Sequence, residues 1–282
     1  MFTVILSASV RVSNVEVLDL GDNLMDPVFS DNGEYLLYTS LEGGNYLNLK
    51  TGEITNFADG AYDYSMDLNG DIRFRVDTFV DKKKVNSVKL YHSKNKTTEI
   101  LLDKKRLDIV PKVKDHGVYY VEKQLVKSTH KLAKPASKPV VMSYDGSLLL
   151  YSYGTAKIMK PSGDNYYLWP SVSPNNDMIA YVDMHDLIVC DMNGSILFTI
   201  EEARAPEWSP DGDYIVFMRD FDDGHVYTES ELFLVKVSDQ EVTQLTKSSD
   251  RIEMYPSWSP DGKKIACEDV KNNTLLILTL EK

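Results

Sequence analysis

The 282-residue chain reads as an all-β protein, a β-propeller of four-stranded blades. Two observations lead there: a hairpin phrase that recurs along the chain, and a spacing of roughly forty residues between its copies. The phrase is clearest in Tyr255-Pro-Ser-Trp-Ser-Pro-Asp-Gly-Lys-Lys-Ile-Ala-Cys267. It returns as Ala205-Pro-Glu-Trp-Ser-Pro-Asp-Gly212, Trp169-Pro-Ser-Val-Ser-Pro-Asn-Asn176 and Asp26-Pro-Val-Phe-Ser-Asp-Asn-Gly33. Asp261-Gly262 suits a tight hairpin, because glycine adopts positive φ freely and aspartate tolerates it. Pro260 ends the preceding strand, having no amide hydrogen for a ladder.

Taken in order, the turn position falls at Gly33, Gly70, Gly117, Gly146, Asn176, Gly212 and Gly262. Four places earlier stand Phe29, Met66, Val113, Met142, Val172, Trp208 and Trp258, all apolar. One place earlier stand Asn32, Asn69, His116, Asp145, Asn175, Asp211 and Asp261, side chains suited to turns. Short apolar runs follow, such as Tyr35–Tyr38, Leu148–Tyr151, Met178–Tyr181 and Tyr214–Phe217, and read as second strands. Third strands are read at Tyr46–Leu49, Val88–Tyr91, Leu187–Cys190, Leu232–Val235 and Leu275–Leu278. A fourth follows in several repeats, as at Glu241–Thr246.

Seven repeats predict seven blades. Six is the alternative, because the third repeat, from Ile109 to about Lys138, shows only two clear strands. The last repeat has three strands, and an orphan strand, Val15–Leu20, precedes the first. The expectation is closure, with the N-terminal strand completing the C-terminal blade so that the ring has no free edge. An irregularity is expected near Asp19. Residues 1–14 form an N-terminal arm or the remnant of an export signal, and 15–282 a single propeller domain.

The Pro-x-Trp-Ser-Pro-Asp-Gly-Lys-x-Ile-Ala phrase resembles the WD40-like repeat of TolB-type β-propellers. The Gly-His and Trp-Asp dipeptides of WD40 repeats proper are missing. The resemblance is closest at 205–217 and 255–267, and weakest at 62–76 and 109–122. It implies a non-catalytic protein- or ligand-binding scaffold in the bacterial cell envelope, periplasmic or otherwise exported, with the cytoplasm as the alternative. Propellers of this kind also resemble some oligosaccharide lyases, so a sugar-active enzyme acting on uronates is the competing expectation. Fold analogy does not choose between them.

Composition narrows the partners. Net charge is −12, yet residues 82–138 hold fifteen lysines and Arg106 against five acids. That basic sector offers docking for an anionic glycan or an acidic protein, or serves as solvated lysine that keeps blade edges from pairing. Nucleic acid fits poorly, since the protein is acidic and carries no binding motif. No apolar run is long enough to span a membrane. Cys190 and Cys267 lie in apolar strand contexts and read as buried free thiols.

No signature of a catalytic nucleophile, metal site, phosphate loop or dinucleotide site is present, so no catalytic residue, metal ligand or cofactor is assigned. The acidic loop from Arg219 to Glu229 has oxygen ligands for a hard cation in Asp220, Asp222 and Asp223, but reads as a solvated loop. The candidate ligand-binding residues are those expected at one mouth of the central channel: Tyr62, Tyr64, Tyr166, Trp169, Arg204, Arg219, Arg251 and Tyr255. Aromatics with arginine favour recognition; Trp169 and Tyr255 are equally suited to packing between blades. For a lyase, Arg219, Arg251, His185 and His225 are the available groups.

Overall fold

The computed structural model describes residues 10–105, 112–114, 117–119, 138–152 and 155–281. The described residues contain strands and turns and no helix. In chain order, β1 (Arg11–Leu18) precedes the first blade, formed by β2 (Met25–Phe29), β3 (Tyr35–Ser40), β4 (Gly43–Asn48) and β5 (Ile54–Ala58). Blade two holds β6 (Tyr62–Met66), β7 (Asp71–Val80), β8 (Lys83–His92) and β9 (Thr97–Lys105). A two-stranded ribbon follows, β10 (Lys112–Lys114) and β11 (Gly117–Tyr119). Blade three has β12 (Val140–Tyr144), β13 (Ser147–Ser152) and β14 (Thr155–Met159). Blade four has β15 (Tyr167–Val172), β16 (Met178–Asp183), β17 (Asp186–Asp191) and β18 (Ile196–Ile200). Blade five has β19 (Arg204–Trp208), β20 (Tyr214–Asp222), β21 (Tyr227–Lys236) and β22 (Val242–Gln244). Blade six has β23 (Glu253–Trp258), β24 (Lys264–Asp269) and β25 (Thr274–Glu281), with β1 on its outer edge.

The propeller therefore has six blades, not seven. Among the described residues the expected third repeat contributes the ribbon alone, which rests on blade two through Val118, Val88 and Leu102. Its continuation at 122–138 is lysine-rich in sequence, with Lys123, Lys127, Lys131, Lys134 and Lys138. Residues 120–137, and with them the C-terminal part of the basic sector and His130, lie outside the described residues, as does the apolar start of the chain at 1–9.

The turn chemistry departs from the tight two-residue hairpin in an informative way. Such a hairpin occurs at Asp145-Gly146, where both φ angles are positive (44° and 66°). At the other described turn positions, Gly33, Gly70, Asn176, Gly212 and Gly262, the aligned residue has positive φ, while Asp261 and its counterparts do not. There the chain makes a four-residue turn, as when Gly212 donates its amide to the Ser209 carbonyl at 2.9 Å.

β1 pairs antiparallel with β25, with Val15 opposite Leu278 and Leu18 opposite Leu275. The strand starts at Arg11, upstream of the expected Val15, and its register slips between Val12 and Asn14 rather than near Asp19. That slip puts Val12 on the same face as Val15, where both pack on one core cluster, while Leu18 packs on another and Val17 is 50% exposed. The core itself lies between blades. Phe29, Leu36 and Tyr38 of blade one meet Ala266, Leu275 and Ile277 of blade six, and Leu37 meets Met66, Ile72 and Phe74 of blade two. Apolar clusters of the same kind join blades three to four, four to five and five to six, as stacked sheets do.

Candidate functional site

Antiparallel order puts the turns between first and second strands on one face of the ring. The starts of the inner strands and the hairpins joining second and third strands share the other face. Five inner strands carry the same irregularity at that end. Asp26, Asp63, Trp169, Ala205 and Tyr255 have φ between 46° and 54°, and the ladder slips a residue around each. In four of the five the next residue is proline, Pro27, Pro170, Pro206 and Pro256, whose missing amide suits a bulge that leaves a position unpaired. β12, with a regular register, is the exception.

These bulges aim side chains at one another across blades. The Tyr64 hydroxyl donates to the Asp26 carbonyl at 2.7 Å and shares a 3.2 Å hydrogen bond with the Thr39 hydroxyl. The Asp26 amide donates to Glu268 Oε1 at 2.7 Å. The fields of Glu268 and Asp220 both act on Tyr255, whose hydroxyl bonds to Tyr227. Asp220 pairs with Arg204 at 2.9 Å, and Arg204 Nη2 lies 2.6 Å from His185 Nδ1. The result is an arc of polar groups over blades two, one, six, five and four.

Burial sets the electrostatics. Glu268, 5% exposed, has its carboxyl pushed up to about 7 by burial, with the Asp26 charge adding and the Asp26 amide opposing. Buried Glu253 is also pushed up to about 7, by burial first and then the Glu231 charge, against a hydrogen bond from Ser248. Asp26 faces solvent, yet the crowded protein around it raises its carboxyl too. Burial moves the Tyr64 and Tyr255 hydroxyls up. The arc combines protonatable acids and hydroxyls with the contact between Arg204 and His185.

Of the expected mouth residues, Tyr64, Arg204 and Tyr255 belong to the arc. Tyr62 sits under the Arg75 guanidinium, 4.1 Å from its ring, and Arg75 pairs with Asp63 at 3.2 Å. Arg219 lies over Phe233 at 4.7 Å and donates to the Glu201 carbonyl at 3.2 Å. Arg251 is half-buried, close enough to blade six for its charge to act on Cys267. Trp169 and Tyr166 stand apart from the arc. Tyr166, 82% exposed, lines a cavity of about 640 Å³ beside the Asp145-Gly146 turn. Sequence reasoning missed Asp26, Glu268 and Glu253, which look like ordinary strand carboxylates until the ring buries them.

The acidic loop after Arg219 spends its carboxylates on itself: Asp222 accepts the Gly224 amide at 2.8 Å and Asp223 the His225 amide at 2.9 Å. No group of three metal-ligating side chains gathers among the described residues. Cys190 and Cys267 are buried free thiols, and burial raises both, Cys190 to about 11.

No family model and no curated protein matches this sequence. Among solved structures, a chain from the crystal structure of a mitotic checkpoint complex is similar at TM-score 0.63 and 13% identity, over 99% of this chain and 94% of the other. An oligogalacturonate lyase from Vibrio parahaemolyticus is similar at TM-score 0.51 and 13% identity, over 92% of this chain and 78% of the other. At that identity the likeness supports the fold alone, a β-propeller of repeated blades.

Proposed function

We propose that the chain is a non-catalytic binding propeller of the TolB type that receives a basic segment of a protein or peptide partner on the face bearing the arc. The carrying observation is that Asp26, Glu253 and Glu268 are raised by burial with no lysine or arginine paired to them among the described residues. A carboxyl in that state gains most from an arriving cation, which restores its charged form and expels a proton. The arginines beside the arc are engaged: Arg204 with Asp220, Arg75 with Asp63, and Arg219 on Phe233. An anionic ligand finds few of them open. Placement in a bacterial envelope rests on the resemblance of the hairpin phrase, and β1 is proposed to latch the ring through β25.

Calorimetry with a capped Lys/Arg-rich hexapeptide and its Glu-rich counterpart tests the binding reading. The basic peptide should bind more tightly as pH rises from 6 to 8, releasing protons, and Asp26→Asn should weaken it. Equal binding of both peptides, or of neither, would reject it. The likeness to an oligogalacturonate lyase, together with Glu268 poised at about 7 beside tyrosines, favours uronate cleavage as the second reading. An ultraviolet absorbance rise on uronate oligomers would establish that reading in place of the first.

A further inference from the structure

Two hairpins stand out from the ring on the arc's face. In blade two, β7 and β8 stay paired to Val80 opposite Lys83, five residues beyond the last inner-strand pair at Arg75. In blade five, β20 and β21 stay paired to Asp222 opposite Tyr227, four residues beyond the last such pair at Met218. In the other blades the second strand ends within one residue of that point. At about 3.3 Å per residue, each ribbon projects roughly 15 Å.

Their tips are opposite in charge and alike in apolar exposure. The blade-two tip carries Phe79, 73% exposed, with Lys82 and Lys83, which outnumber the exposed Asp81 beside them and have no ion-pair partner among the described residues. Asp81 and Lys82 both have positive φ, the two-residue turn that stiffens such a ribbon. The blade-five tip carries Phe221, 57% exposed, with exposed Asp222 and Asp223. Blades two and five are three apart in a ring of six, so the tips rise on opposite sides of the channel mouth.

We infer that this face pairs with a second copy of the chain, each basic tip meeting the partner's acidic tip about a two-fold axis. A two-fold contact requires a surface complementary to itself. A basic and an acidic projection on opposite sides of one face satisfy that, because turning a copy over lays each tip on its opposite. Net charge of −12 keeps copies apart in general, so association must come from this local match. Two small tip contacts bury on the order of 1,000 Å², the range of weak dimers, so a dissociation constant on the order of 10 µM is expected. The inference stands on the hairpins and not on the arc's ligand.

Sedimentation velocity on the full chain, from 1 to 200 µM in low salt, reads the result. The wild type should move from monomer to dimer. Lys82→Glu with Lys83→Glu should weaken the dimer at least 30-fold, and so should Asp222→Lys with Asp223→Lys, each variant keeping its circular dichroism. Mixing the two variants should restore a heterodimer to within about threefold, because every tip again meets its opposite charge. A wild type that stays monomeric, variants that dimerise like it, or a mixture that stays monomeric would each overturn the inference.

Discussion

Ser30, Ser173, Ser209 and Ser259 fasten the hairpin turns from inside. Each is buried, and each hydroxyl accepts the amide that opens the next strand, as when Tyr214 donates to Ser209 Oγ at 2.9 Å. The hydroxyl hydrogen goes to a turn side chain, Asp211 in blade five at 2.5 Å. In blade two Asp67 takes the same post, accepting the Asp71 amide at 3.1 Å. Ser209→Ala leaves a buried amide without its acceptor, so equilibrium urea unfolding should show a loss of about 1–3 kcal/mol. Glu268 makes a second test. Its carboxyl titrates near 7 in the folded protein against 4.5 ordinarily. The stability it contributes is complete below about pH 4.5 and is lost as pH rises through 7. Glu268→Gln keeps an acceptor for the Asp26 amide and removes that loss. The variant should match the wild type at pH 5 and exceed it at pH 8 by up to about 3 kcal/mol, read as melting temperature against pH. A difference that does not widen with pH would discard the assignment. The serines were visible in the repeated phrase, yet their burial was not, and Glu268 carries no mark that separates it from the solvent-facing Glu34 or Glu53.

The bulged inner strand is the element that gives the face its character. A non-glycine residue at φ near 50° is strained, so five repetitions mean that the fold demands the kink whatever side chain occupies it. Ala205 and Ala266 separate the two effects of removing a Cβ. Ala266→Gly, in the regular stretch of β24, should cost about 1 kcal/mol or more. Ala205→Gly relieves the left-handed strain and should be neutral within about 0.5 kcal/mol. Equal costs in denaturant titrations would remove the strain argument. The proline six places before each turn was plain in the sequence, whereas the kink before it was not, because proline restricts its own φ and only disfavours the helical region for its predecessor. Tyr166 shows the converse. Its spacing suggested the channel mouth, but among the described residues blade three has three strands, and the chain leaves β14 along a different route. The Asn165 amide meets the Gly146 carbonyl at 3.4 Å, and Tyr166 goes with it.

The whole ring was legible because each blade repeats its own apolar positions, which local pattern reading detects. The number of blades was less so, since the hairpin around Gly117 satisfies the same local pattern without a third strand among the described residues to complete a sheet. The proposed latch rests on the long-range pairing of β1 with β25. Removing residues 1–20 would bare the β25 ladder and the apolar surface that Val12, Val15 and Leu18 cover. The shortened chain should lose cooperative unfolding and aggregate, while removal of residues 1–9 should leave the melting curve nearly unchanged. Unfolding of the two truncations at the same temperature would contradict the latch.

That pairing also sets a clock. Arg11 and Glu281 meet at 3.3 Å although 270 positions separate them in sequence. On a ribosome, β1 is made before β25, so at about 5–20 residues per second across that separation the strand waits some tens of seconds for its partner to emerge. Loop closure over that span is entropically the most demanding pairing in the molecule, and it belongs at the end of folding. Until then the newborn chain carries two unpaired strand edges, and this interval is when a chaperone would have the most to hold.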